Sequence, residues 1–149
     1  MNQVTPTGLR FHAQLYVEHR PAVVWSYFSD LTQWNRWSPI CLDCRLAGGV
    51  ALEAGSVMRI RFRAAHITTV VLANVIALRS PQIITWTGAR FGLNAVHTYS
   101  FESCGTGTLM TNEETFFGAR FPISKMIKRW YKTSDLSFQS LAGIKRELG

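Results

Sequence analysis

The chain has 149 residues, 47% of them hydrophobic and 17% charged, which suits one domain spanning residues 1–149 and excludes disordered, collagen-like and coiled-coil classes. Folding at this length buries about 68–70% of the unfolded surface, so no metal or disulfide staple is required. Sixteen basic and nine acidic residues give a net charge of +7, which suits an anionic partner without naming one; a soluble domain with a basic solvated surface is the simpler and preferred explanation.

Other global features narrow the setting. Nine Phe, five Trp and four Tyr exceed what a small core needs and suggest a wall around something. Cys41, Cys44 and Cys104 form an odd set, which fits a secreted disulfide framework poorly. Residues Met1 to Pro6 show neither the basic nor the apolar region of a signal peptide. No apolar run approaches the roughly 20 residues of a spanning helix, and the richest stretch, Val70 to Leu78, is interrupted by Asn74. The expected location is the cytoplasm.

The first strand is predicted from Gly8 to His19, where Leu9, Phe11, Ala13, Leu15 and Val17 alternate with polar residues, giving a sheet wet on one side. Pro21 suits the first turn of a short helix through Phe28. Asp30 and Gln33 resemble a capping box opening a second short helix that carries Leu31, Trp34 and Trp37 and stops at Pro39. Strands follow at 41–47, 57–64, 68–79, 82–87, 94–103 and 108–117, separated by glycine-containing and Ser80-Pro81 turns. From Pro122 to Leu148 the spacing becomes helical, with Ile123, Ile127, Trp130, Ser134, Phe138, Leu141 and Leu148 on one stripe. An unbroken helix there would be about 40 Å long, enough to span a sheet of hairpins. This order is an α+β arrangement, with helices on one face of an antiparallel sheet.

The segments Pro21-Ala22-Val23-Val24-Trp25, Asp30 to Pro39, Ser80 to Trp86 and Gly107 to Gly118, with the basic C-terminal helix, resemble the START/SRPBCC superfamily and its polyketide cyclase/dehydrase-like branch. The resemblance covers nearly the whole chain, and it rests on the order of the motifs because none is specific alone. It implies a helix-grip fold: a curved seven-stranded antiparallel sheet wrapped around a long C-terminal helix, with two short helices after the first strand. The gap between sheet and helix is often a hydrophobic cavity in that superfamily. Its members include lipid carriers, hormone binders, aromatase/cyclases and chaperone activators, so fold alone does not choose a function.

Strand periodicity selects the candidate site. If Phe101 faces the helix, so do Tyr99 and His97; if Phe116 does, so do Glu114, Asn112 and Met110, although a one-residue slip would substitute Glu113. Trp86 shares its strand face with Ile84. Ile127, Trp130, Ser134 and Phe138 would roof the chamber, and Trp37 would border its mouth or simply anchor its helix. An apolar chamber with a few polar groups has the composition of a small-molecule site. His97 and Glu114 are the candidate acid/base pair, although buried polar groups usually hydrogen-bond without catalysing anything.

Other motifs carry less. Cys41 and Cys44 stand three apart in a predicted strand and should point to opposite faces, so no metal site is expected. Arg59, Arg61 and Arg63 should line an outer strand face, and Lys125, Lys128, Arg129 and Lys132 the polar side of the helix. No nucleic-acid signature accompanies them, whereas weak contact of the basic helix with an anionic membrane surface has a physical motive. No cofactor motif is present. The first reading is a protein that binds a small hydrophobic or aromatic, lipid- or polyketide-like ligand. The alternatives are an aromatase/cyclase-dehydratase-type enzyme and a protein-interaction module.

Overall fold

The computed structural model describes residues 3–5, 8–64, 66–90, 92–118 and 121–149, with the backbone alone at 3–5, 90, 121–124, 133 and 134. Strand β1 is Gln3–Thr5 and β2 is Gly8–Val17. Helix α1 covers Pro21–Phe28; after a 3-10 turn at Leu31–Gln33 comes α2, Trp34–Trp37. Six strands follow: β3 Cys41–Leu46, β4 Val57–Ala64, β5 Ile67–Arg79, β6 Ile83–Arg90, β7 Leu93–Cys104 and β8 Gly107–Phe117. Helices α3, Phe121–Ser134, and α4, Leu136–Leu148, end the chain.

The strands form one antiparallel sheet in the order β1-β2-β8-β7-β6-β5-β4-β3. Strands β2 to β8 are the predicted seven, and β1 adds a three-residue edge. Successive hairpins build most of the sheet, but β2 pairs with the last strand, so the first long strand closes against β8 through Leu9↔Phe116 and Phe11↔Glu114. Asp30 caps the 3-10 turn by accepting from Thr32 N, not from the residue at the expected capping-box position.

Two places depart from simple periodicity. The C-terminal helical span is divided at Asp135, whose φ of 48° and ψ of 45° lie in the left-handed region and stop the α-helical hydrogen-bond ladder. The break resets the helical phase: Ile127 and Tyr131 are buried in α3, but the buried face of α4 runs through Ser137, Ser140, Leu141 and Ile144. In β3, a bulge between Cys41 and Asp43 adds a residue to one strand. Cys41 therefore pairs with Phe62 and Cys44 with Ile60, and both thiols are buried, contrary to the opposite faces expected of a regular strand. Among the described residues no group of His, Cys, Asp and Glu could hold a metal ion.

The interior holds two apolar clusters. The larger packs Phe28, Trp34, Trp37, Met58, Trp86, Tyr99, Phe101 and Met110 between the sheet and helices α1, α2 and α4. The smaller joins Leu9 and Phe11 of β2 to Ile127 and Tyr131 of α3 and to Leu136. Trp34 satisfies its indole N–H on the Phe28 carbonyl at 2.7 Å. Gly143 lets α4 close against α2, because a Cβ there would lie 2.0 Å from the Trp37 carbonyl oxygen. Gly143→Ala should therefore cost about 1–3 kcal/mol in urea unfolding. Gly48→Ala, where a Cβ meets nothing within 4 Å, should be close to neutral.

Candidate functional site

Between the two clusters the inner sheet face becomes polar. Trp86 of β6, His97 of β7 and Glu114 of β8 are consecutive register partners, as are Tyr99 and Asn112 one step further along. Register thus delivers His97, Asn112 and Glu114 to one face, as predicted. It also settles the choice of carboxylate: Glu114 points inward, whereas Glu113 pairs with Arg10 on the outer face at 2.7 Å.

His97 is held at both ring nitrogens. Nδ1 lies 3.3 Å from Glu114 Oε2, and Nε2 lies 2.6 Å from Asn112 Oδ1. The Asn112 amide is oriented from its other end, where Nδ2 donates to the Ser137 carbonyl at 3.1 Å. Nε2 therefore faces an acceptor, and Nδ1 faces a carboxylate. With Glu114 ionised, both nitrogens donate, which only the doubly protonated ring can do. Burial works against that charge. The Glu114 carboxylate, its hydrogen bond and the Asn112 bond outweigh the penalty, so the His97 pKa is raised above 6.5. Burial likewise opposes an ionised Glu114, but His97 and the Tyr131 hydroxyl hold its pKa below 4.5.

Tyr131 joins the same network and lies outside the candidates that the sequence suggests. Its hydroxyl donates to Glu114 Oε1, and its ring stacks on Phe11 at 4.2 Å. It stands four residues after Ile127, so helical spacing could have revealed it. Burial and the nearby carboxylate push its pKa well up, so the phenol keeps its proton and acts as a donor. The His97 ring lies against Trp86 at 4.7 Å and Tyr99 at 5.0 Å, π-surfaces that favour a cation. Burial again raises the pKa of the Tyr99 hydroxyl.

The other predicted residues divide by environment. Trp37, Phe101 and Met110 are packed in the core; Ile127 is buried, and Phe116 and Trp130 are half-buried beside Tyr131. Phe138, expected in the roof, is instead exposed because the break at Asp135 turns it away from the α3 buried face. The Ser134 side chain lies outside the described residues. The ion pair itself remains reachable, with 18% of the His97 side chain and 16% of Glu114 exposed. Trp37 Nε1 and Thr69 Oγ1 are buried without a hydrogen-bond partner, and each such atom costs about 1–3 kcal/mol until one is supplied. The register partner of Thr69 is Phe62, on the same inner face. A separate concavity of about 530 Å3 opens towards the other end of β7, lined by Pro21, Arg79, Gln82, Ser100, Phe101 and Glu102. The buried thiols are unsuited to nucleophilic work: burial, then the Asp43 carboxylate, pushes Cys41 up to about 11, and Cys44 is raised further.

The ion pair makes stability pH-dependent with a definite sign. A raised histidine pKa stabilises fully below the unfolded value of 6.5 and loses that contribution as pH rises through the folded value. A lowered glutamate pKa stabilises above the unfolded value of 4.5 and loses it as pH falls through the folded value. Urea unfolding across pH should show the advantage of the native chain over His97→Gln greatest between 4.5 and 6.5, and shrinking on both sides.

Solved structures share this architecture at low sequence identity. A START superfamily protein from Mycobacterium smegmatis superposes with a TM-score of 0.75 at 14% identity, over 94% of this chain and 99% of that one. Ginseng major latex-like protein 151 from Panax ginseng gives 0.74 at 12% identity, over 93% and 95%. The di-domain ARO/CYC StfQ from the steffimycin biosynthetic pathway gives 0.75 at 11% identity, over 94% of this chain and 50% of that one. No curated protein matches the chain in sequence. The family model described as "Polyketide cyclase / dehydrase and lipid transport" matches residues 9–149, and the chain belongs to that family.

Proposed function

We propose that the chain binds a small hydrophobic or aromatic molecule, lipid- or polyketide-like, against the inner sheet face beneath the C-terminal helices. The observation that carries this reading is the partly exposed His97–Glu114 pair set into a wall of Trp86, Tyr99 and Phe116. Apolar contact supplies most of the affinity, at about 25 cal/mol per Å2 before the costs of association. The polar edge orients the molecule. The imidazolium N–H groups and the Tyr131 hydroxyl are already bonded to Asn112 and Glu114, so the network meets a ligand as a fixed polar edge and not as a set of free donors.

Direct contact between His97 and Glu114 supports a second reading, an aromatase/cyclase-dehydratase-type enzyme. In it the imidazolium would give a proton to a departing hydroxyl, which leaves as water, while a base takes the carbon-bound proton. The weak point is the base. Glu114 is held below its ordinary pKa by His97 and Tyr131, and the charge of each partner is committed to the other. Binding is therefore the better-supported function.

Ala95 stands two residues before His97 on the same strand face and is half-buried, so a large side chain there would occupy the space beside the ion pair. Ala95→Trp should weaken binding of the neutral fluorescent probe N-phenyl-1-naphthylamine at least about tenfold, the loss of one well-packed contact region. Thr98→Trp, on the opposite face, should leave binding unchanged. Equal titration curves for both variants and the native chain would place the ligand elsewhere.

A further inference from the structure

Helix α3 contains no acidic residue, and its exposed surface carries Lys125, Lys128, Arg129 and Lys132. At 100° per residue these four fall within an arc of about 100°, opposite the buried Ile127 and Tyr131. Along one flank of that arc run Met126, 59% exposed, and the half-buried Trp130 one helical turn later. The helix thus presents parallel strips: one packed into the protein, one apolar and open to water, one cationic.

We infer that α3 is a docking surface for an anionic phospholipid bilayer. The strips match the gradient of a membrane interface, where lysine and arginine meet phosphate while methionine and tryptophan reach the acyl boundary. A nucleic-acid backbone or a purely acidic partner would engage the cationic strip alone and leave Met126 and Trp130 without a role. The inference is independent of the ligand's identity. It adds to the proposed function a surface from which an apolar molecule could be collected.

The test is co-sedimentation with phosphatidylcholine vesicles, with and without about one third phosphatidylglycerol, each cation near the anionic surface contributing roughly fivefold to partitioning. Native protein should bind the anionic vesicles selectively. Lys125→Gln/Lys128→Gln should bind about 25-fold more weakly. Arg45→Gln/Arg63→Gln, exposed sheet residues with the same loss of net charge, should bind almost as the native chain does. Met126→Ser should also weaken binding, although it changes no charge. Equal losses in the two charge variants would reduce the effect to net charge and overturn the inference. So would undiminished binding by Met126→Ser, which indicates capture by any polyanion, or failure of the native protein to prefer anionic vesicles. Binding of N-phenyl-1-naphthylamine by the same variants, measured in parallel, separates a failure of docking from a failure of the ligand site.

Discussion

A positive charge enclosed on an apolar sheet face is the constraint around which this molecule is arranged. An imidazolium removed from water is costly unless every proton finds an acceptor and the charge finds a counter-charge. His97 obtains both: Glu114 on one nitrogen, Asn112 on the other, and aromatic faces from Trp86 and Tyr99. The acceptors are themselves fixed, Asn112 by the Ser137 carbonyl and Glu114 by the Tyr131 hydroxyl. Tyr131 belongs to α3 and Ser137 to α4, so one polar network reaches from the sheet to both helices across the break at Asp135. Removing a single member would leave another buried group unsatisfied, which is why the network acts as a unit.

The same arrangement bears on function. Acid–base catalysis needs groups whose pKa values approach the working pH, so that protons move readily. Here the mutual attraction of His97 and Glu114 drives their pKa values apart, the imidazole up and the carboxylate down. The pair is thereby fixed as one ionic unit in the wall of the sheet. Set among aromatic rings, such a polar edge gives an otherwise apolar face an orientation. Membership of the polyketide cyclase/dehydrase and lipid transport family accommodates carriers and enzymes alike, so the choice rests on this geometry and not on the fold.

Much of the architecture was legible because strand alternation is a strong signal. Leu9 to Val17, Met58 to Phe62 and His97 to Phe101 each gave the correct inner face, and the ordered motifs supplied the topology. Local departures from that period were not legible. The bulge in β3 places Cys41 and Cys44 on one side, and nothing in Cys-Leu-Asp-Cys announces an extra residue. The left-handed Asp135 breaks what reads as a continuous helix, shifting the buried stripe of α4 and turning Phe138 outward. Tyr131 is hidden for a related reason: helical spacing puts Trp130, its neighbour, on the apolar stripe, although Ile127 and Tyr131 share the buried face. Partner identity was the remaining gap, since periodicity brought His97 and Glu114 together but could not show that Asn112 and Tyr131 would complete their bonds.

The most direct test is the protonation state of His97 in solution, read from the nitrogen chemical shifts of its ring by NMR and assigned by comparison with His97→Gln. At pH 6.5 most of the His97 population should be doubly protonated, with both nitrogens in the N–H range. Adding N-phenyl-1-naphthylamine should shift those resonances while the ring stays protonated. A neutral ring with one bare nitrogen at that pH, or resonances indifferent to a bound apolar molecule, would contradict the account.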